Sequence, residues 1–371
     1  MHGTKVPFYG VAREFAAYRD EYMSLIEETM VSGQMLQGRA VQELEEQVAA
    51  ICHREHAVAV NSCTDALFFA LLAIGVQPGD EVLVPDFTFA ASASCILRAG
   101  AKPVFVDIND EMVMDLEKAA TLVTKNTKAM IFVHLFGRMS DPAPIEDFAR
   151  SHNLVLIEDS AQVLGASYGP WSGGSIGKAS CISFDPTKVV SAPGSGGILL
   201  TDDAELAGHV ERLRYHGKSG AEGFVHLGYN SQMPCTTAAL LSAKFRHAAE
   251  WAERRREIAG HYIDGLRHIS SLELPTRSEG ASHIYHKFVL KSDERNGLKS
   301  WLGEAGIEVA IHYSQPLHRE PMFAGVDADD RDFPNSIRLS ESVLSLPIHP
   351  FLTDEEIKRV VYSIADFYGS T

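Results

Sequence analysis

Positive charge is scarce in this sequence, and so are long apolar runs. Lysine and arginine number 33 against 49 acidic residues, which gives a net charge of −16. Such a chain repels phosphates, so a nucleic acid partner is not expected. The apolar runs reach only strand length, so no membrane-spanning segment is expected. Residues 1–15 contain no long apolar core, so a secretory signal is not expected either.

Cysteine is also sparse. The five cysteines are odd in number and scattered, and they lack the paired spacing that is typical of metal sites. Reduced thiols in a cytoplasmic protein account for this pattern better than disulfides do. We therefore predict a cytoplasmic protein without a bound metal.

Short apolar runs alternate with helix-like stretches through the first part of the sequence. This alternation predicts βαβ units, and hence an α/β fold with a mostly parallel sheet. The predicted strands are Ala57–Val60, Val82–Pro85, Val104–Asp107, Met130–His134, Leu154–Asp159, Cys181–Phe184 and Gly197–Leu200, and the predicted helices are Thr64–Ile74, Phe89–Arg98 and Ala143–Ser151.

The pattern changes after about residue 235. Thr236–Leu266 is predicted to form one long helix, and Thr353–Phe367 an amphipathic terminal helix. His286–Leu290 and Ile307–Tyr313 are predicted strands of a second, smaller unit. We therefore predict two domains, a large one at residues 1–250 and a small α+β domain at residues 251–371.

Two reactive side chains follow predicted strands. Asp159 ends the strand Leu154–Asp159, and Lys188 follows the next strand after Pro186, which stops that strand and fixes the loop. In open α/β sheets, ligands bind beyond the carboxyl ends of the strands, so both residues can face a ligand. A helix cap or a turn is the alternative for the acid, and a solvated surface lysine is the alternative for Lys188.

The segment Asn61–Leu67 connects a predicted strand to a predicted helix. Backbone amides at a helix N-terminus bind anions, and the Ser62 and Thr64 hydroxyls can add to such a site. An ordinary N-cap is the alternative. An acid, a lysine and an anion-binding turn are the parts that pyridoxal phosphate (PLP) requires for its pyridine nitrogen, its aldehyde and its phosphate.

The order of several motifs along the chain is also informative. These motifs are Pro78–Val82, Thr88-Phe89, Gly100–Asp107, Val133–Gly137, Glu158–Gln162, Ser183–Lys188, Gly228–Met233, His312-Tyr313 and Pro316–His318. With them the chain resembles, over nearly its whole length, the PLP-dependent sugar aminotransferases around DegT and StrS. The resemblance implies fold type I of the PLP enzymes. That fold has a large domain whose mostly parallel central sheet is flanked by helices, and a smaller C-terminal α+β domain.

The resemblance also implies catalytic roles. Lys188 would hold PLP as a Schiff base and later move a proton, and Asp159 would pair with the pyridine nitrogen. Phe89 would stack on the ring, and Gln162 would lie near its phenolic oxygen. Core packing is the alternative for Phe89.

The phosphate would be held by Ser183, Thr64 and the backbone of Ser62 and Cys63. Asn230 would reach the phosphate of the other subunit, which implies a homodimer with shared active sites. A plain turn is the alternative for Asn230.

The predicted reaction transfers an amino group from an amino acid, glutamate or glutamine by resemblance, to a nucleotide-linked keto sugar in amino-sugar biosynthesis. His312 and Tyr313 are predicted to contact the sugar, with a structural role as the alternative. Other functions stay open: a PLP-dependent sugar dehydratase, an aminotransferase for a cyclitol ketone, or a ligand-binding regulator. Relatives of the dehydratase type are expected to carry histidine in place of Lys188.

Overall fold

The computed structural model describes residues 5–276 and 280–369, and within these ranges it contains fourteen strands and twelve α-helices. The strands are β1 His56–Val60, β2 Glu81–Pro85, β3 Lys102–Val106, β4 Thr127–Val133, β5 Val155–Asp159, β6 Ser167–Tyr168, β7 Trp171–Ser172, β8 Ala179–Ser183, β9 Gly197–Thr201, β10 Lys218–Ser219, β11 Gly223–Phe224, β12 Ala281–Ser282, β13 Phe288–Lys291 and β14 Val343–Leu346. The helices are α1 Val11–Ser32, α2 Arg39–Ile51, α3 Cys63–Ala73, α4 Ala91–Arg98, α5 Leu116–Leu122, α6 Pro142–Ser151, α7 Ala204–Arg214, α8 Cys235–Phe245, α9 Ala248–Leu266, α10 Arg295–Glu304, α11 Pro334–Ser342 and α12 Asp354–Phe367.

The central sheet has seven strands among the described residues, in the order β1-β9-β8-β5-β4-β2-β3. Strands β2, β3, β4, β5 and β8 pair in parallel, whereas β9 runs antiparallel to both of its neighbours, β8 and β1. Every residue of β8 and β9 is buried, as expected for strands that helices cover on both faces. The predicted α/β fold with a mostly parallel sheet is confirmed.

This topology places the two reactive side chains at one edge of the sheet. Strands β5 and β8 are parallel neighbours, so their carboxyl ends lie side by side. Asp159 is the last residue of β5, and Lys188 follows the end of β8 on the loop that leads to β9.

The prediction of one long helix over Thr236–Leu266 is wrong. The chain forms α8 and α9, separated at Arg246 and His247. Helix α8 packs with α2 in one hydrophobic cluster, whereas α9 contributes residues from Ile258 onward to a different, C-terminal cluster. The segment therefore contributes to both clusters through two separate helices.

The predicted strand Ile307–Tyr313 is also wrong. The segment makes single bridges, from Ile307 to Val6 and from Ala310 to Ser345. Because its backbone groups change partner within four residues, no continuous ladder forms. The other strand predicted in this region, at 286–290, overlaps β13.

A second hydrophobic cluster gathers the C-terminal elements, including α9, α10, β13, β14 and α12. Val6, near the start of the chain, is fully buried in this same cluster. The predicted α12 is confirmed, and a capping box formed by Thr353 and Glu356 begins it. The division of the chain near residue 250 stays a prediction. None of the described helices combines the length and the apolar character needed to cross a membrane.

Candidate active site

A cavity of about 320 Å³ opens at the carboxyl ends of β5 and β8. Of the eleven site residues predicted from the sequence, ten line it: Ser62, Cys63, Thr64, Phe89, Asp159, Gln162, Ser183, Lys188, His312 and Tyr313. A larger, open groove of about 940 Å³ lies toward the opposite ends of these strands and is lined by none of the eleven. The chemistry predicted from the sequence therefore converges on the smaller cavity.

Lys188 is held on a short turn after β8. Its backbone N–H donates to the Asp185 carbonyl at 2.9 Å, and the Asp185 carboxylate accepts hydrogen bonds from the N–H and hydroxyl of Thr187. Within residues 5–276 and 280–369, the Lys188 ammonium has no hydrogen bond or ion pair. Burial lowers the pKa of Lys188, which favours the neutral, nucleophilic amine. The surface-lysine alternative is therefore excluded.

Asp159 is fixed by two donors at the cavity wall. The Ser92 hydroxyl donates to Oδ2 at 2.7 Å, and the backbone N–H of Ala161 donates to Oδ1 at 3.2 Å. Burial raises the pKa of Asp159, and the two hydrogen bonds and the nearby Lys188 oppose this rise. A cationic partner in the cavity would strongly stabilise the ionised form of this carboxylate.

The side chain of Glu158 points to the opposite face of the sheet from that of Asp159, because adjacent strand residues point to opposite faces. Its buried carboxylate accepts hydrogen bonds from the backbone N–H groups of Gly174 and Ile176, both at 3.0 Å, and from the Ser180 hydroxyl at 2.8 Å. The Nε2 atom of His134 lies 3.3 Å away. Burial alone would raise the pKa of Glu158, but these contacts outweigh it and hold the pKa below its usual value. Glu158 therefore anchors a loop, and Asp159 alone of the two lines the cavity.

The N-terminus of α3 forms another wall of the cavity. Ser62 is the N-cap, and its hydroxyl accepts from the Asp65 N–H at 3.1 Å. The N-cap expected as the alternative is thus present, yet the same residue also faces the cavity. Burial raises the pKa of the Cys63 thiol well above its ordinary value, so the thiol stays neutral. Backbone amides at this helix start suit an anion.

Gly197 at the start of β9 explains how the sheet supports this turn. A Cβ atom on Gly197 would lie 2.3 Å from the carbonyl carbon of Ser62 and 2.4 Å from the Cys63 nitrogen. No side chain fits there, so glycine lets β9 pack directly beneath the turn. The position of the anion-binding amides thus depends on this contact.

Phe89 and Gln162 line the middle of the cavity. Phe89 is 58% exposed, which excludes the core-packing alternative. The Gln162 carbonyl oxygen accepts from the Phe136 N–H at 2.7 Å, and its amide donates to the Tyr313 hydroxyl at 3.4 Å. Gln162 thus joins the sheet side of the cavity to the loop that carries His312 and Tyr313.

His312 and Tyr313 also line the cavity. The His312 Nδ1 atom is 2.8 Å from the Ser345 hydroxyl. Burial lowers the pKa of His312 to about 3, with a smaller contribution from the positive charges of Lys287 and Lys188, so its ring is neutral near pH 7. Burial also raises the pKa of Tyr313. Both side chains therefore offer neutral polar groups to the cavity.

Asn230 is the one predicted site residue that does not line the cavity of its own chain. It is exposed, bridges to Tyr215, and accepts a hydrogen bond from Gln232 at 3.3 Å. Within one chain Asn230 therefore lies in an antiparallel bridge, and not in the turn expected as the alternative.

Sequence reasoning missed several residues of the cavity, among them Tyr9, Ser92, His286 and Lys287. A weak signal existed for Ser92, which stands three residues after Phe89 at the start of a predicted helix. No local pattern marked the others, since Tyr9 and Lys287 are far apart in the sequence and meet only in the folded chain.

The comparisons with known proteins agree with this geometry. The family model described as the DegT/DnrJ/EryC1/StrS aminotransferase family matches residues 17–365. A pleiotropic regulatory protein of Geobacillus stearothermophilus is 38% identical, with 98% of each chain covered. The UDP-N-acetyl-3-dehydro-α-D-glucosamine 3-aminotransferase of Acidithiobacillus ferrooxidans is also 38% identical, with 96% of each chain covered.

Solved structures are similar over the same length. The S. venezuelae protein DesV, crystallised in complex with a ketimine intermediate, has a TM-score of 0.95 and 33% identity, and 98% of each chain is covered. A sugar aminotransferase described as putative, from Streptococcus pneumoniae, was solved in its PLP form; it has a TM-score of 0.88 and 26% identity, over 94% of this chain and 96% of that one.

The residues on the cavity wall fit PLP. Lys188 provides a half-buried amine without a partner among the described residues, Asp159 a buried carboxylate, and the start of α3 a set of amides for a phosphate. The family match covers nearly the whole chain. The protein therefore belongs to the DegT/DnrJ/EryC1/StrS aminotransferase family, and PLP is its cofactor.

Proposed function

We propose that this enzyme transfers an amino group from glutamate or glutamine to a nucleotide-linked keto sugar, in amino-sugar biosynthesis. The observation that carries the proposal is the placement of Lys188, a half-buried amine without a partner among the described residues, in one cavity with Asp159. The name of the A. ferrooxidans relative describes aminotransfer at carbon 3 of a UDP-linked sugar, which supports this substrate class.

PLP, when bound, supplies an electron sink for the carbon that loses or gains the amino group. Lys188 Nζ holds the cofactor covalently, and its low pKa keeps the amine nucleophilic. With a donor amino acid in the cavity, Lys188 Nζ would be the group that moves the proton at the donor Cα. The same amine acts in reverse when the keto sugar receives the amino group.

The other residues orient the ring. Asp159, held by Ser92 and Ala161, keeps a proton on the pyridine nitrogen. The α3 N-terminus, with Ser62, Thr64 and Ser183, would bind the phosphate, and Phe89 would cover one face of the ring. Gln162 would lie near the phenolic oxygen. His312 and Tyr313 would contact the sugar.

We further propose a homodimer in which Asn230 completes the site of the partner subunit. Asn230 is exposed and lies outside its own cavity, at the end of the segment His216–Gly228. Two large apolar side chains of this segment are strongly exposed, Phe224 at 73% and Leu227 at 80%, as is typical of a surface that another chain covers. We also propose a cytoplasmic location, because all five cysteines are buried and unpaired.

The alternative functions would require different residues at the site. A sugar dehydratase of this family is expected to carry histidine at position 188, and this chain carries lysine. A regulatory protein without catalysis would have no need for a cavity lysine without a described partner beside a buried carboxylate. The cyclitol alternative differs only in the acceptor, so it is decided by substrate tests.

The test separates the two half-reactions. The purified PLP enzyme is mixed with glutamate, glutamine or alanine, and loss of the visible absorbance reports amino transfer to the cofactor. The resulting amino form is then offered nucleotide-linked keto sugars, free keto sugars and cyclitol ketones, and return of that absorbance identifies the acceptor. Return with a nucleotide-linked sugar is expected. Return only with a cyclitol ketone, or loss of a sugar hydroxyl in place of amination, would contradict the proposal.

A further inference from the structure

Lys287 is a buried lysine on the wall of the cofactor cavity, which it lines together with the half-buried Lys188. It stands directly before β13, and its ammonium donates a hydrogen bond to the Tyr9 hydroxyl at 3.3 Å. The same ammonium lies 4.5 Å from the ring centroid of Tyr9 and 5.1 Å from that of Phe8. Two aromatic rings from the N-terminal segment thus hold this side chain in place.

Lys287 has no carboxylate partner within ion-pair distance among residues 5–276 and 280–369. This is unusual, because a buried charge is costly unless it is paired. The other buried lysine with a described partner, Lys244, forms an ion pair with Glu14 at 2.5 Å. A buried, unpaired cation on the wall of a substrate cavity is suited to an anion that arrives with a ligand.

The charges around Lys287 favour the same kind of ligand. Burial, with smaller contributions from the positive charges of Lys188 and Arg255, lowers the pKa of Lys287 to about 7, and Asp185 opposes this shift. Of the three charged groups that act on Lys287, two are thus positive and one is negative. An anion bound here would favour the protonated form of Lys287 and relieve the repulsion between the cations.

The identity of the anion follows from the position of the site. The phosphate of PLP is accounted for at the α3 N-terminus, which is formed by other residues of the cavity. Lys287 lines the same cavity as Lys188, whose amine reacts. In an amino acid donor, the carboxylate sits on the very carbon that carries the amino group. A carboxylate is therefore the anion that comes close to Lys188 during the reaction.

We propose that Lys287, oriented by Tyr9, binds a carboxylate of a reactant. This inference rests on the proposed aminotransferase function, which supplies an amino acid donor. The carboxylate can come from the donor or from an acidic keto sugar, and the chemistry of recognition is the same in both cases.

The first test measures binding without turnover. Glutarate, a dicarboxylate that lacks an amine and cannot react, is titrated into the PLP enzyme by calorimetry. Lys287→Met removes the charge with little change of volume, Tyr9→Phe removes only the hydroxyl, and Lys291→Met is the matched control. Lys291 lies at the far end of β13 in an ion pair with Glu273.

The Kd for glutarate should rise about tenfold or more in Lys287→Met, as expected for loss of a charged hydrogen bond. It should rise less in Tyr9→Phe and stay unchanged in Lys291→Met. An unchanged Kd in both Lys287→Met and Tyr9→Phe, with the cofactor still bound, would overturn the inference. Tyr9→Phe is included because a partly exposed side chain can change without a folding defect.

The two half-reactions then identify the source of the carboxylate. If the donor supplies it, Lys287→Met raises the KM for glutamate and leaves the acceptor half-reaction unchanged. If the sugar supplies it, the KM rises only for a keto sugar with a carboxyl group, and not for its neutral counterpart. Either result supports the site. A wild-type enzyme that binds glutarate but transfers no amino group would instead contradict the proposed function, so the two failures are distinguishable.

Discussion

The Ser92 hydroxyl donates a hydrogen bond to Asp159 Oδ2 across 2.7 Å, and both residues are buried. This bond helps to keep Asp159 ionised, since it opposes the rise in pKa that burial causes. In Ser92→Ala the pKa of Asp159 should therefore rise further. The acid limb of the kcat profile should move to higher pH, and kcat at neutral pH should fall about five- to tenfold, as expected for loss of about 1 kcal/mol.

A pH–rate profile of the donor half-reaction checks this prediction. Ser94→Ala is the control, because Ser94 lies on the same helix and does not line the cavity. A profile of Ser92→Ala that coincides with the wild type would contradict the role of Ser92.

The adjacent carboxylates Asp159 and Glu158 should respond differently to neutralisation. Asp159→Asn should retain some cofactor but lose catalysis by about tenfold or more, because an amide cannot keep the ring nitrogen protonated. Glu158→Gln should instead lower the free energy of unfolding by about 1–3 kcal/mol, since it weakens the hydrogen bonds to Gly174 and Ile176. Thermal unfolding and turnover are measured on both variants. Wild-type turnover in Asp159→Asn would mean that the carboxylate is only structural.

Lys188→Ala should fold and lose both turnover and the covalent bond to the cofactor. Only an amine can form that bond, and the side chain has no described polar partner whose loss would destabilise the fold. Borohydride reduction followed by peptide mass spectrometry should find the cofactor on Lys188 in the wild type and on no peptide of the variant. Lys128→Ala, which changes an exposed lysine of β4, is the control and should behave like the wild type. Transamination by Lys188→Ala without added amine would refute the assignment.

His312→Ala and Tyr313→Phe should raise the KM for the keto sugar more than the KM for the amino donor. The physical reason is size, because a small amino acid reaches less of the cavity than a sugar does. The two half-reactions are measured separately for each variant. Equal losses in both would indicate a cofactor or folding role, and no loss in either would leave the two residues as packing.

The proposed dimer predicts complementation between inactive chains. If Asn230 serves the site of its partner, a mixed dimer of Lys188→Ala and Asn230→Asp chains has one site with both changes and one with neither. Activity should therefore return, up to about half the wild-type level per dimer. Tagged chains allow the heterodimer to be isolated and assayed. An inactive heterodimer of demonstrated composition would count against the crossing of Asn230.

The sequence was most informative where neighbouring residues mark the end of a strand. Pro186 ends one strand before Lys188, and Glu158 and Asp159 end another. The loop that carries Lys188 and the end of the strand that carries Asp159 could therefore both be placed at one edge of a parallel sheet. The parallel order itself followed from the alternation of strands and helices. These features need only neighbouring residues, which is why they could be predicted.

Long-range contacts explain what was missed. No glycine or proline marks the break at Arg246 and His247, so the pattern continued through it as one helix. The segment after Ile307 looked like a strand, but its ladder is divided between Val6 and Ser345. Tyr9 and Lys287 stand 278 positions apart, and only the folded chain shows that they touch.

The single reversed strand of the sheet has a consequence for how the enzyme is made. Within the described residues, β1 pairs only with β9, and the pairing joins His56 to Thr201 and Val60 to Gly197. When Lys188 has just emerged from the ribosome, the nascent chain therefore still lacks β9, against which β1 and the turn after it pack. We expect capture of PLP to wait until translation has passed β9, since contacts between such distant segments form slowly and late.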